Sequence, residues 1–219
     1  MPYLGYWQLM AAVDKYVVYD DVNYIKRCWI SRNNILLNKG RYLFTISLNS
    51  ASQNKLINEI SIKDDFVKFT KTLTSAYSKA PYYNNVMALM SDICNYNDLT
   101  LSKFIKHSFD VILNYLNVGT ELIMSSDLEK NNSLKGQEKI IHICQILQAD
   151  TYINAIGGRE LYNKEEFHNA GVNLYFLQSE LPPYKQFNND FIAGLSIIDV
   201  LMFNSPAEVK NMLNKYELI

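Results

Sequence analysis

After residue 119 the chain alternates short apolar runs with amphipathic stretches, an order that few folds accept. Residues 121–125, 152–156 and 172–177 read as strands, and 137–147 reads as a helix between the first two. Asn163-Lys164-Glu165-Glu166, between the last two runs, has the form of a capping-box start for a short helix. Parallel neighbours cannot be joined by a tight turn, so strand–helix–strand order implies crossover connections and parallel pairing. The prediction is an α/β fold with a mixed, partly parallel sheet flanked by helices.

The rest of the chain fits around that sheet. Residues 7–13 carry Leu9, Met10 and Val13 as a helical apolar stripe. Residues 16–21, Tyr-Val-Val-Tyr-Asp-Asp, read as a buried strand ending in two carboxylates. Runs 30–37 and 41–48 flank Asn38-Lys39-Gly40 and predict a hairpin, with Gly40 expected at positive φ. Residues 57–62 read as a further strand. A helical segment around 64–118 follows, including 66–76, 86–94 and the stripe Leu101, Phe104, Ile105, Phe109, Ile112, Leu113 and Leu116. Ser205-Pro206-Ala207-Glu208 is a helix start with Ser as cap and Pro in the first turn. With no repeat and no linker, 1–219 reads as a single domain.

Composition removes several classes of function. A chain of 219 residues needs no disulfide or metal staple to build a core. Cys28, Cys94 and Cys144 form no paired motif and read as reduced structural thiols. His107, His142 and His168 do not cluster, so no metal site is expected. Lys plus Arg total 21 against 22 Asp plus Glu, a balance that argues against nucleic acid as the main partner. No stretch is long and apolar enough for a membrane span, and no leader is visible, so a cytoplasmic location is expected.

Polar and aromatic residues concentrate near the front: Tyr3, Tyr6, Gln8, then Asp20, Asp21, Lys26, Trp29, Arg32 and Asn33. Ligands of open α/β sheets bind beyond the carboxyl ends of strands, where Asp20 and Asp21 are expected. Successive strand residues point to opposite faces, so one carboxylate can serve a site while the other accepts backbone N–H bonds. Arg32 and Lys26 suit a phosphate or carboxylate, and Trp29 suits stacking on a sugar or base; a solvated hairpin face is the plain alternative. Gly157-Gly158-Arg159 lacks the spacing of a nucleotide loop and reads as a turn. Tyr184 and Gln186 follow the stiff Pro182-Pro183 pair. Asp199 lies inside an apolar run and needs a partner, expected to be Arg, Lys or backbone N–H.

Taken in order, several segments resemble the WbqC-like family. They are Pro2-Tyr3-Leu4-Gly5-Tyr6-Trp7-Gln8-Leu9, Asp14, Tyr19-Asp20-Asp21-Val22-Asn23-Tyr24, Trp29-Ile30-Ser31-Arg32-Asn33 and Ala80-Pro81-Tyr82-Tyr83. Ser125-Ser126, Gly158 with Tyr162, Tyr184-Lys185-Gln186 and Leu195-Ser196-Ile197-Ile198-Asp199 complete the set. The resemblance implies a role in bacterial O-antigen or other surface-polysaccharide biosynthesis, with transfer of glycine or another aminoacyl group to an amino sugar. Asp20, Asp21 and Lys26 would then be catalytic. Tyr3, Tyr6, Gln8, Trp29, Arg32, Asn33, Tyr162, Tyr184, Gln186 and Asp199 would bind a small-molecule or nucleotide-sugar substrate. A non-catalytic sugar-nucleotide-binding or assembly protein of the same pathway, and an adenylate-forming amide ligase, are the alternatives. Family members carry an apolar strand and Gln-Pro before the Pro-Tyr segment, so an upstream first strand is expected to be missing here. Tyr3-Leu4-Gly5-Tyr6 also matches the pattern of an H-x-G-H signature, without its histidines.

Overall fold

Helix α1 (Leu4–Ala11) runs directly into strand β1 (Lys15–Val18), which stops two residues short of Asp20. The computed structural model describes residues 1–188 and 190–219. Strands β2 (Arg32–Leu37) and β3 (Gly40–Thr45) form an antiparallel hairpin. Its register pairs Leu37 with Gly40, leaving Asn38 and Lys39 as the turn. Their φ values of 51° and 62° make it a left-handed two-residue turn that matches strand twist. Gly40 is therefore a strand residue, and the expectation of positive φ there is corrected. Residues 57–62 do not form one strand: β4 (Leu48–Asn49) pairs with β5 (Ser61–Ile62), after a single 3-10 turn at Ile57–Glu59.

Helices α2 (Val67–Tyr77), α3 (Tyr83–Cys94) and α4 (Leu101–Tyr115) make the helical middle. The apolar stripe of α4 is buried through Leu101, Phe104, Phe109, Ile112 and Leu113, as its 3.6-residue spacing requires. Strand β6 (Glu121–Met124) then returns to pair in parallel with β1. Helix α5 (Gly136–Ile146) leads to β7 (Thr151–Ala155), and α6 (Lys164–Asn169) to β8 (Asn173–Ser179). Strands β7 and β8 are parallel, the crossover arrangement that the alternation implied. The Asn163 side chain accepts from Glu165 N–H, but no reciprocal arm forms, so α6 has a simple cap rather than the expected box. Helices α7 (Ile197–Phe203) and α8 (Pro206–Leu213) follow, the latter with a complete Ser205–Glu208 capping box, and β9 (Tyr216–Leu218) closes antiparallel on β8.

One core joins α1, the hairpin, the helical middle, α7 and α8 around Trp7, Tyr77, Met90 and Ile112. A smaller one packs α5 and α6 on the second sheet through Cys144, Phe167, Leu174 and Phe176. Helix α1 lies against the end of β8: a Cβ on Gly5 would sit 2.5 Å from Ser179 Oγ, so only glycine permits this approach.

The two parallel pairs do not hydrogen-bond to each other. Glu121 N–H donates to Asp14 C=O, and the alternation that follows turns the N–H and C=O of Lys15 and Val17 away from β6. Asn173 N–H donates to Asp150 C=O, which likewise turns those of Thr151, Ile153 and Ala155 away from β8. A cavity of about 660 Å³ is lined by Lys15, Val17, Thr151 and Ile153, with Tyr19, Asn154 and Tyr162 also in its wall. Two open strand edges therefore line a single cleft.

Candidate functional site at the carboxyl ends of the parallel strands

Strands β1 and β6 run in the same direction, so their last residues, Val18 and Met124, release their loops side by side. Asp20 ties these loops together. Its Oδ1 accepts from Ser126 N–H at 2.9 Å and its Oδ2 from Ser126 Oγ at 2.8 Å, with the residue almost wholly buried. The Asp20 carbonyl also accepts from Asn58 N–H. Both carboxylate oxygens are thus engaged in holding the strand ends.

Asp21 has a different environment. Its Oδ2 lies 2.9 Å from Lys130 Nζ and 3.1 Å from Lys139 Nζ. Both ammonium groups are buried, and Lys130 also donates to the Ser125 carbonyl. Burial pushes the Asp21 carboxyl up, but Ser125 and the two lysines outweigh it and hold the group below the usual carboxylate range. Asp21 Oδ1 and Ser125 Oγ are buried and, among the described residues, make no hydrogen bond of ordinary geometry, although the Ser125 hydroxyl lies near enough to act on the carboxyl. Two cations share one carboxylate oxygen, while the neighbouring Asp20 is matched only by the neutral Ser126 groups. The Lys139 ammonium also lies 5.1 Å from the centre of the Tyr19 ring. Tyr19 and Tyr162 continue this group into the cleft wall, and Tyr162 packs edge-on against Tyr152 at 5.8 Å.

Such an arrangement is suited to an anionic group held by lysine ammoniums, with aromatic rings beside it for a sugar or base. The family model for WbqC-like proteins matches residues 1–211, nearly the whole chain. This protein belongs to the WbqC-like family. It is 28% identical over 218 residues to an uncharacterised protein of Mycobacterium tuberculosis, covering 97% of this chain and 93% of that protein. No solved structure matches the chain.

In this WbqC-like protein the other expected site residues fall into separate groups. Tyr184 Oη and Gln186 Nε2 donate to Asp199 Oδ1 at 2.5 and 2.7 Å, and Tyr77 Oη donates to Oδ2 at 2.7 Å. Asp199 is fully buried on α7, so the expected Arg, Lys or backbone partner is replaced by three neutral side-chain donors. Burial raises its carboxyl above the ordinary value, because none of the three donors carries a compensating charge. The Gln186 side chain also accepts from Ile192 N–H, which fixes the Pro182-Pro183 loop over this group.

Gln8 is a brace: its amide nitrogen contacts the carbonyls of Glu180, Met212 and Lys215 at 2.8–2.9 Å. Tyr6 bonds Tyr16 through their hydroxyls at 2.7 Å, and Tyr3 stands at the start of α1. Asn33 Nδ2 donates to the Met1 carbonyl, which also accepts from Ser196 Oγ. Lys26 and Trp29 are exposed, and Arg32 stacks over Trp29 at 5.4 Å. Among the described residues, contacts bring Tyr184, Gln186 and Asp199 together but link none of them to Asp20, Asp21, Arg32 or Tyr162.

Lys130, Lys139, Ser125, Ser126 and Tyr19 were not among the expected catalytic or binding residues. Lys139 had a legible signal, since it stands four residues before the buried Ile143 on α5 and so lies on its apolar face. Lys130 sits in the polar stretch Glu129-Lys130-Asn131-Asn132, which reads as solvated. Gly157-Gly158-Arg159 lies in a 3-10 stretch, Ile156–Leu161. The thiols of Cys94 and Cys144 are pushed up to about 12 and about 11 by burial, which makes both poor nucleophiles. Among the described residues no group of His, Cys, Asp and Glu is placed to hold a metal ion. No helix there is long and apolar enough to cross a membrane.

Proposed function

We propose that this protein is a transferase of surface-polysaccharide biosynthesis that attaches glycine or another aminoacyl group to an amino sugar. The observation that carries the reading is the pair of buried lysines sharing Asp21 at the ends of parallel strands, beside Tyr19 and Tyr162. In this reading Lys130 and Lys139 hold the phosphate or carboxylate of the substrate, and Tyr162 stacks on its sugar or base. The neutral sugar amine attacks the carbonyl of an activated aminoacyl donor, a C–N bond forms, and the donor's leaving group departs with its electron pair. The amine proton goes to a carboxylate. Asp20 and Asp21 are the two carboxylates at the strand ends, and Asp21 is the one not held by Ser126.

The cleft between β1 and β7 supports a companion proposal. An additional strand preceding α1 would pair with Lys15 and Val17 on one side and Thr151 and Ile153 on the other, joining two sheet fragments into one. The assay therefore compares the protein with and without an upstream apolar strand. Each form is incubated with amino-sugar nucleotides and activated glycine, and products are read by mass spectrometry. Amide-linked product that is lost in Asp21→Asn supports the reading; no product from either form contradicts it.

A second reading, a non-catalytic sugar-nucleotide-binding or assembly protein, is favoured by one observation. A carboxylate held below its ordinary range is a weak base. Calorimetry separates the two: tight sugar-nucleotide binding with no turnover selects the binding role. Amino-acid-dependent pyrophosphate release would instead select an adenylate-forming ligase.

A further inference from the structure

Between Val22 and Asn58 the chain carries 6 of its 21 Lys and Arg residues and none of its 22 Asp and Glu residues. The loop from β1 to β2 exposes two large apolar side chains, Ile25 at 61% and Trp29 at 64%, with Lys26 and Arg27 exposed between them. The hairpin extends this surface. Its register sets Asn34 opposite Leu43 and Arg32 opposite Thr45, so these side chains share one face, where Leu43 is 48% exposed. The Arg32 guanidinium lies over the Trp29 ring and donates to the Arg27 carbonyl, fastening the loop to that face.

We propose that this face seats the protein on an anionic phospholipid bilayer. Trp29 and Ile25 would enter at headgroup depth, with Lys26, Arg27 and Arg32 against lipid phosphates. Charge complementarity selects the bilayer, because the stretch supplies cations without carboxylates. The exposed Ile25 and Leu43 argue for lipid over a soluble polyanion, which would leave them in water. Attachment is peripheral, since no helix among the described residues can span a membrane. The proposal is independent of the transferase reading, and vesicle binding is measured without turnover.

The test is sedimentation with vesicles containing phosphatidylglycerol, set beside vesicles of phosphatidylcholine alone. Binding to the first, weakened by salt and absent from the second, is expected. Trp7 is fully buried, so a blue shift of tryptophan emission on binding reports Trp29. At roughly 1 kcal/mol per cation, Lys26→Gln with Arg27→Gln weakens binding roughly 30-fold. Trp29→Ser weakens binding and removes the blue shift. All three side chains are exposed, and an unchanged urea midpoint verifies that each variant folds. No sedimentation, equal binding to both vesicle types, or indifference to these substitutions overturns the proposal. So does heparin binding that matches vesicle binding and survives Trp29→Ser, which would assign the face to a soluble polyanion.

Discussion

Two carboxylates, the half-buried Asp21 and the buried Asp199, are held by opposite means. Asp21 is matched by two lysine ammoniums and stays below its ordinary pKa, while one of its oxygens makes no hydrogen bond of ordinary geometry among the described residues. Asp199 is matched by two phenols and one amide, rises above its ordinary pKa, and has both oxygens engaged. A saturated network of neutral donors specifies one packing of α7 against α2 and the Pro182-Pro183 loop. A charged cluster at the strand ends, joined to the cleft wall through Tyr19, is what the proposed function uses. Similar residues therefore do structural work in one place and, under the proposed function, chemistry in the other.

The largest expected effect tests the structural half of that contrast. Asp199→Leu leaves Tyr77, Tyr184 and Gln186 donors buried without their acceptor, and should cost roughly 3–5 kcal/mol in urea unfolding. Asp21→Asn should cost less, about 2–3 kcal/mol, because the amide oxygen still accepts from one lysine. Its sugar-nucleotide affinity should nevertheless change at least tenfold, while Asp199→Asn leaves that affinity unaltered. If Asp199→Asn moves affinity as much as Asp21→Asn, the two regions are not distinct.

Stability against pH should separate them by sign. Asp199 has a folded pKa above the reference 3.8, so its contribution is full below 3.8 and is lost as pH rises through the folded value. Asp21 lies below 3.8, so its contribution is present above that value and is lost as pH falls through the folded one. The stability advantage of wild type over Asp199→Asn should accordingly shrink as pH is raised from acid to neutral. That over Asp21→Asn should grow on the same path. The smallest effect lies outside both regions: Lys39 holds a left-handed φ of 62°, and Lys39→Gly should gain at most about 1 kcal/mol. A change in ligand affinity with that variant would show that affinity responds to stability alone.

The elements were largely legible because hydrophobic period is local. The α4 stripe, the β7–β8 parallel pair and the Ser205–Glu208 box all follow from nearby residues. Misreadings arose where pairing decided the outcome. Gly40 lost its turn position because Leu37 pairs with it, and 57–62 broke because only Ser61 and Ile62 find a partner strand. Asp199 announced its need for partners, but phenols from residues 77 and 184 meet it only in the folded chain. Asp20 and Asp21 were legible as strand-end carboxylates, yet only folding shows that Ser126 occupies one and Lys130 and Lys139 the other.

The most direct measurement is a crystal structure of the protein soaked with an amino-sugar nucleotide. The account predicts its anionic group within hydrogen-bond distance of Lys130 and Lys139, and its rings against Tyr19 or Tyr162. A nucleotide bound instead beside Trp29 and Arg32, or one that opens the Tyr77–Tyr184–Asp199 network to reach the carboxylate, would contradict it.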